Sequence, residues 1–320
     1  MESAADFVFG PEPPIEEPEA PAVAGAPAAP AGAPAAPAAA PVDPLHALAG
    51  LAGSWAGHGF NVIWRPHPLK PSEQDRFLEL NVTREQLSFG PALRDIPNRG
   101  LLMPNISLAG LNYLQQIADA NTNKNQHFEP GLWVTVPPTG DPKEPRTVAR
   151  LASIPHGTTI LLQGTAQTSA GGPAIPNVSI KPFPIGHPAQ TINFPEQTLA
   201  TATEFRTSGA GLTGITQQMV NNPNSVLRAA PSPQIASTTT LQVASRGASL
   251  PGGGTANIAF LHGGPDGPNA VAVSVTATFW LETLKGDTEP RRLQYSQLVL
   301  LNFNEISWPH VTVATLDKQP

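Results

Sequence analysis

Hydrophobic and polar residues alternate along most of the chain after residue 76, and this period of two predicts β-strands. One of the two longest runs is 271–281, where Val275, Phe279 and Leu281 alternate with Thr276, Thr278 and Trp280. Similar runs occupy 77–83, 111–119, 132–136, 147–154, 158–165, 237–244, 257–261, 293–303 and 310–316. Clusters of Gly, Pro and Asn separate them, so we expect about ten strands joined mainly by short turns, which favours antiparallel pairing.

Few segments have helical signals. Asp43 is a suitable cap for a short helix that begins at Pro44 and places Leu45, Leu48 and Leu51 on one side. A broken helix is predicted around Pro223. We therefore predict an all-β fold: a closed, calycin-like antiparallel β-barrel of about ten strands with a short N-terminal helix, because closure removes exposed strand edges.

The chain divides into two predicted regions. Residues 1–44 form an Ala/Pro-rich tail that we expect to be disordered, since its small side chains bury too little area to offset ordering. Residues 45–320 form the barrel, with long rim loops at 165–200 and 247–268. The tail either presents Phe7–Phe9 to a protein partner or is a solvated extension.

Composition restricts the classes of function. Of 320 residues only 13% are charged, and the net charge of −6 argues against nucleic acid as a partner. Cysteine is absent, which excludes disulfides, thiolate nucleophiles and Cys-ligated metals. No signal peptide or apolar run of membrane-spanning length is evident, so we expect a cytoplasmic protein without membrane insertion.

Two histidines lie in contexts that suggest chemistry. His127 and Glu129 are two apart in a predicted strand and share a face with Trp133, which suits a metal site, an acid–base pair or a simple His–Glu hydrogen bond. His156 sits in the turn Pro155–Gly157, either at a cavity mouth or exposed to solvent. Both histidines and Glu129 are candidate catalytic residues.

His310 lies in the last predicted strand, on the opposite face from Val311 and Val313. A neutral imidazole inside a barrel can coordinate haem iron, whereas the simpler alternative is a hydrogen bond to a neighbouring side chain.

The ordered motifs together resemble the nitrobindin-like haem-binding barrels, a branch of the fatty-acid-binding-like fold. The resemblance begins with Gly-x-Trp-x-Gly-x-Gly over 53–59 and continues with His-x-Glu-x-Gly over 127–131. Thr147 to Gly157 and Thr159 to Gly164 then match an alternating strand and turn. Leu293–Tyr295 and His310–Leu316 resemble the family's C-terminal strands, although the chain is much longer than family domains.

The resemblance implies haem as cofactor, with His310 as the axial iron ligand and Trp133, Tyr113 and Arg150 around it. It also implies action on a small oxidant or gas. The extra loops would enlarge, cover or fill the haem space, so a barrel without the cofactor is a second expectation.

Two cofactor-free alternatives stay open. One is a carrier or sensor of a small hydrophobic molecule, oriented by Arg150, Gln115 or Glu129. The other is an isomerase or lyase that uses His127, Glu129 or His156 as acid or base. Whether the protein is an enzyme is left open by the sequence.

Overall fold

The computed structural model describes residues 43–66, 76–100, 104–141, 143–155, 157–202, 212–231, 233–246, 253–257, 262–264, 267–268 and 270–320. Of the predicted tail it includes Asp43 and Pro44, and His156 lies outside the described residues.

Ten long antiparallel strands of the described chain form one sheet that closes on itself. They are β1 (Gly53–Pro66), β2 (Arg76–Asn98), β3 (Ile106–Asp119), β4 (Asn125–Val136), β5 (Thr147–Ile154), β6 (Thr158–Ala170), β7 (Ile235–Ala244), β8 (Val271–Leu284), β9 (Pro290–Phe303) and β10 (Ile306–Lys318). Each strand pairs with the next one in sequence, and β10 pairs back with β1 from Trp55↔Lys318 to Ile63↔His310. The predicted all-β, closed antiparallel barrel is confirmed.

Shorter elements complete the fold. Two-to-four-residue strands occur at Thr139–Gly140, Lys143–Glu144, Phe183–Pro184, Gly254–Asn257, His262–Gly264 and Gly267–Pro268. Helical segments are the 3-10 turns His46–Leu51 and Pro195–Gln197 and the short helices α1 (Gln217–Asn221) and α2 (Ser225–Ala229). No helix among the described residues is long and apolar enough to cross a membrane.

The glycines of the 53–59 motif allow the barrel seam to close. A Cβ added at Gly57 would lie 2.1 Å from the carbonyl oxygen of Thr315, and one at Gly59 would lie 2.2 Å from that of Val313. No side chain fits at such distances, so glycine permits β1 and β10 to approach closely where they curve into each other. The close approach of β1 and β10 therefore explains the motif without reference to any ligand.

One end of the barrel is filled with side chains. The N-terminal 3-10 turn inserts Leu48 and Leu51, both fully buried, against Trp55. The indole Nε1 of Trp55 donates to the carbonyl of Leu51 at 2.8 Å, so the turn is held by a hydrogen bond as well as by apolar packing. Trp133 and Phe279 meet edge-on at 5.3 Å between ring centres within the same core. This end is a packed plug rather than an opening.

The insertion between β6 and β7 covers part of the outer wall. Its Ile180, Val220 and Leu227 are buried in a second core against outward-facing side chains of β1, β8 and β10. Trp64 donates from Nε1 to the Ile180 carbonyl at 2.9 Å, and Trp308 stacks on Phe194 and Phe303.

The structure corrects the positions of the rim loops that were predicted at 165–200 and 247–268. Residues 165–170 belong to β6, which pairs with β7 as far as Ala170↔Ser237. The insertion that follows packs along the barrel wall, because this part of the wall carries apolar side chains on both faces. Within 247–268, residues 254–257 form a strand beside β6.

Candidate ligand-binding cavity

A cavity of about 520 Å³ occupies the end of the barrel opposite the plug. Inward-facing positions of several strands line it, among them the apolar Ile117, Ile160, Val275 and Val299. Its polar lining includes Asn61, Gln115, His127, Tyr295, Gln297 and His310. The volume falls within the range of about 300–1,000 Å³ that is usual for small-molecule sites. The cavity is thus of ligand size, with mainly neutral polar groups set among apolar walls.

His310 lies in the cavity wall, as its position in the last strand predicts. Its Nε2 is 2.8 Å from Oδ1 of Asn61 and 3.3 Å from Oγ1 of Thr312. Both expected features of this residue therefore occur together: the imidazole lines the interior, and it is hydrogen-bonded to a neighbouring side chain.

A chain of side-chain amides connects His310 with Asp119. Nδ2 of Asn61 donates to Oδ1 of Asn81 at 3.3 Å, and Nδ2 of Asn81 donates to Asp119 at 3.0 Å. Burial opposes ionisation of Asp119, but hydrogen bonds from Asn81 and from Thr122 outweigh it and lower the pKa of this carboxyl. Asp119 is consequently a carboxylate, which only accepts hydrogen bonds.

The charge of Asp119 fixes the tautomer of His310. Because the carboxylate accepts, Asn81 must present its NH₂ group to it and its carbonyl oxygen to Asn61, whose own oxygen then faces His310. Nε2 of His310 therefore carries a proton, which it donates to Oδ1 of Asn61.

His127 belongs to a buried ion-pair network below the cavity. Its Nε2 is 2.9 Å from Oε2 of Glu129, which is fully buried. The other oxygen of Glu129 accepts from the hydroxyl of Tyr113 and from the guanidinium of Arg150. Arg150 also donates from Nε to Tyr113 at 2.8 Å and from Nη1 to Gln297 at 2.7 Å.

This network keeps Glu129 ionised. Burial alone would raise its pKa, but the adjacent Arg150 charge and the hydrogen bond from His127 bring the pKa to about 2. A carboxylate with that pKa is a weak base at neutral pH, so its structural effect is to hold Arg150 and His127 in place. The predicted isomerase or lyase activity would then depend on His127 or on His156, which lies outside the described residues, and it stays a prediction.

The remaining predicted ligand-binding residues lie deeper than expected. Trp133 is 1% exposed and packs in the plug, with the Arg150 guanidinium 6.0 Å from its ring centre. Tyr113 and Arg150 are also buried, and Arg150 reaches the cavity lining through its contact with Gln297. These residues therefore support the floor of the cavity.

A second buried acid, Glu85, was not singled out by the sequence. Its Oε2 accepts from the hydroxyl of Tyr295 at 2.5 Å, and its Oε1 accepts from Thr83 at 2.9 Å. Gln115 donates to the same Tyr295 hydroxyl at 2.9 Å. Burial raises the pKa of Glu85 to about 7, despite these hydrogen bonds. The available signal was strand alternation, which places Glu85 on the inward face with Thr83.

No family model and no curated protein matches this chain. Among solved structures, the crystal structure of Rv2717c from M. tuberculosis aligns over 87% of this chain and 98% of that one. The two share 14% sequence identity with a TM-score of 0.39. Membership of the nitrobindin-like family is therefore not established, and the fold assignment rests on the strand pairing described above.

Haem and directly bound metal ions differ in the number of protein ligands that they need. Among the described residues no group of three or more His, Cys, Asp or Glu side chains is arranged around one point, which disfavours a metal site at His127 and Glu129. A haem iron needs a single protein ligand, and an imidazole in the cavity wall, as at His310, is a side chain of the type that can supply it. Its hydrogen bond to Asn61 would supply the support that orients an axial imidazole.

Proposed function

We propose that this protein binds a small, largely apolar organic molecule in the barrel cavity. The proposal rests on the cavity of about 520 Å³, which is lined by Ile and Val side chains and has buried polar side chains at its base. Apolar walls supply binding energy by removing ligand surface from water, while a few fixed polar groups orient the ligand.

The polar groups are held in place before any ligand enters. Asn61 is fixed by Asn81, Gln115 by Tyr295, and Gln297 by Arg150. Side chains that are already ordered lose little conformational entropy when a ligand binds, which favours affinity and selectivity. This arrangement suits a carrier or a sensor of a small molecule.

Fluorescence titration with N-phenyl-1-naphthylamine, a neutral apolar probe, tests this proposal. Val299→Trp fills the cavity from β9 and should weaken probe binding at least tenfold. The matched control is Leu151→Trp, which adds the same ring at an exposed position of β5 and should leave binding unchanged. Equal binding by both variants, or loss only in Leu151→Trp, contradicts binding in the cavity.

Haem is the second candidate, favoured by the place of His310 in the cavity wall. Bound haem would supply reversible binding of a small gas or oxidant, and this chain's part would be to hold the ring through His310 and exclude water. Haem titration should give a Soret band that is lost in His310→Ala and retained in His127→Ala. A titration without a Soret shift, or a band unaffected by His310→Ala, rules this candidate out.

A further inference from the structure

Of the two buried carboxyl groups in the floor of the cavity, one is paired with a buried guanidinium. Below the ligand space lie two carboxyl groups, Glu85 and Glu129, and one guanidinium, that of Arg150. Arg150 is committed to Glu129, Tyr113 and Gln297. The imidazole of His127 is hydrogen-bonded to Glu129, and its electrostatic effect on Glu85 lowers the pKa of that carboxyl group. Glu85 therefore relies mainly on hydroxyl donors to stabilise its charge.

The side chain of Glu85 is buried inside the barrel. It is 1% exposed, and a Cβ added at Gly59 would lie 2.8 Å from its Oε1, so β1 passes directly over the carboxyl group. Thr83 on its own strand and Tyr295 on β9 donate to it. His310 on β10 is the second imidazole of the cavity, and its Nε2 proton is directed to Asn61. The contact of Glu85 with the cavity thus runs through Tyr295, which donates to it, and through Gln115, which also interacts with the carboxyl group.

The hydroxyl of Tyr295 has one proton to donate. While Glu85 is ionised, this proton is directed to Glu85 and Gln115 donates to the phenol oxygen, so Tyr295 has no donor to offer to a ligand. When Glu85 takes up a proton, the carboxylic acid donates to the phenol oxygen instead. The hydroxyl proton is then released and can turn toward the cavity, which Tyr295 lines.

We propose that Glu85 and Tyr295 form a proton-coupled binding group, through which the cavity takes ligands carrying a carbonyl, carboxylate or sulfonate oxygen. Binding moves one proton from solvent to Glu85, and the Tyr295 hydroxyl donates to the ligand oxygen. No bond to carbon forms or breaks, and the proton balance is closed by the buffer. This proposal deepens the proposed function and rests on it. Burial places the pKa of Glu85 at about 7, so the exchange operates at neutral pH.

A pair of related probes tests the proposal on the full-length protein. 8-Anilinonaphthalene-1-sulfonate carries an acceptor group, whereas N-phenyl-1-naphthylamine has the same rings without it. For one linked proton and a pKa of about 7, the Kd of the sulfonate probe should rise about 100-fold from pH 6 to pH 9, and that of the neutral probe should stay constant. Calorimetry in phosphate and Tris buffers should show uptake of one proton per sulfonate probe at pH 8.

Two variants assign the effect to the proposed pair. In Glu85→Gln the amide donates permanently to Tyr295, so the sulfonate probe should bind at pH 8 as it binds to the wild type at pH 6. Tyr295→Phe should bind this probe weakly at every pH and the neutral probe normally, which also shows that the variant is folded. His310→Gln is the control that should keep the pH dependence, whereas His127→Gln removes a group that lowers the pKa of Glu85 and should move the dependence to higher pH without abolishing it.

The outcomes separate this proposal from the one on which it rests. If the neutral probe does not bind in the cavity, the proposed function itself fails. If both probes bind but the pH dependence persists in Glu85→Gln, or disappears in either histidine variant, proton coupling through Glu85 is wrong and the binding function stands.

Discussion

Removing the guanidinium of Arg150 should strongly destabilise the barrel. The Arg150→Met variant keeps much of the side-chain length but leaves Glu129 buried without its cation. In the native protein the pKa of Glu129 is about 2, compared with an ordinary value of 4.5. This difference of 2.5 corresponds to about 3 kcal/mol at about 1.4 kcal/mol per pH unit. That figure is the net effect of burial and of all the partners of Glu129, and loss of one partner of a buried ion pair typically costs about 3–5 kcal/mol, which is the loss we expect for Arg150→Met.

The loss of stability in Arg150→Met should be larger at neutral pH than at acid pH. In the wild type, the low pKa of Glu129 contributes stability that is complete above pH 4.5 and is lost as the pH falls toward 2. In Arg150→Met, burial without the cation raises the pKa of Glu129, so the native variant takes up a proton more readily than the unfolded chain. The free energy of unfolding that Arg150→Met loses relative to the wild type should therefore be largest at pH 7–8 and shrink toward pH 5.

Urea unfolding followed by circular dichroism measures this effect. The double variant Glu129→Gln/Arg150→Met removes both charges and should recover most of the lost free energy of unfolding. Arg65→Met is the matched control, because Arg65 is 53% exposed in its 2.8 Å pair with Glu79 and should cost less than about 1 kcal/mol. A loss in Arg150→Met no larger than in Arg65→Met, or one that grows toward pH 5, refutes the reasoning.

Three further predictions concern other parts of the molecule. Because burial raises the pKa of Glu85 from 4.5 to about 7, the free energy of unfolding should fall by about 3 kcal/mol between these pH values, and urea midpoints of Glu85→Gln should lack this fall. Two-bond ¹H–¹⁵N spectra should show neutral His310 protonated at Nε2, and Asn81→Leu should mix in the other tautomer; the opposite tautomer in the wild type contradicts the amide chain. Trp64→Phe removes the donor to the Ile180 carbonyl and should cost about 1–3 kcal/mol, with faster hydrogen exchange around residue 180 but not in β3.

Sequence alternation was sufficient to predict the barrel but not its irregularities. The simple pattern over 271–281 places Val271, Val273 and Val275 on one face. In β8 the register with β9 shifts between Ala272 and Ser274, so Ala272 joins Val275 in the cavity lining. A bulge inserts one residue into one strand without requiring a special residue type, and alternation alone therefore does not reveal it.

The residues of the candidate site were likewise recognisable from the sequence only in part. His127, Glu129 and His310 were recognisable because histidines and carboxylates inside apolar alternation are chemically conspicuous. Glu85 sits in a stretch with Thr83 and Arg84, where an acidic residue is ordinary, and its importance depends on Tyr295, which is 210 residues away in the chain. Contacts over such separations are formed by folding, not by local pattern.

The sequence by itself determined nine of the ten long strands, the short N-terminal turn and the glycine motif, because side-chain alternation and backbone freedom are local properties of the chain. It did not give β1 as an alternating run, and most of the predicted strand 257–261 lies outside the described residues. Only the tertiary structure decided that one barrel end is a plug and the other a cavity. It also decided that Arg150 neutralises Glu129 rather than Glu85, since this choice depends on which side chains from distant strands meet in a space where water cannot screen their charges.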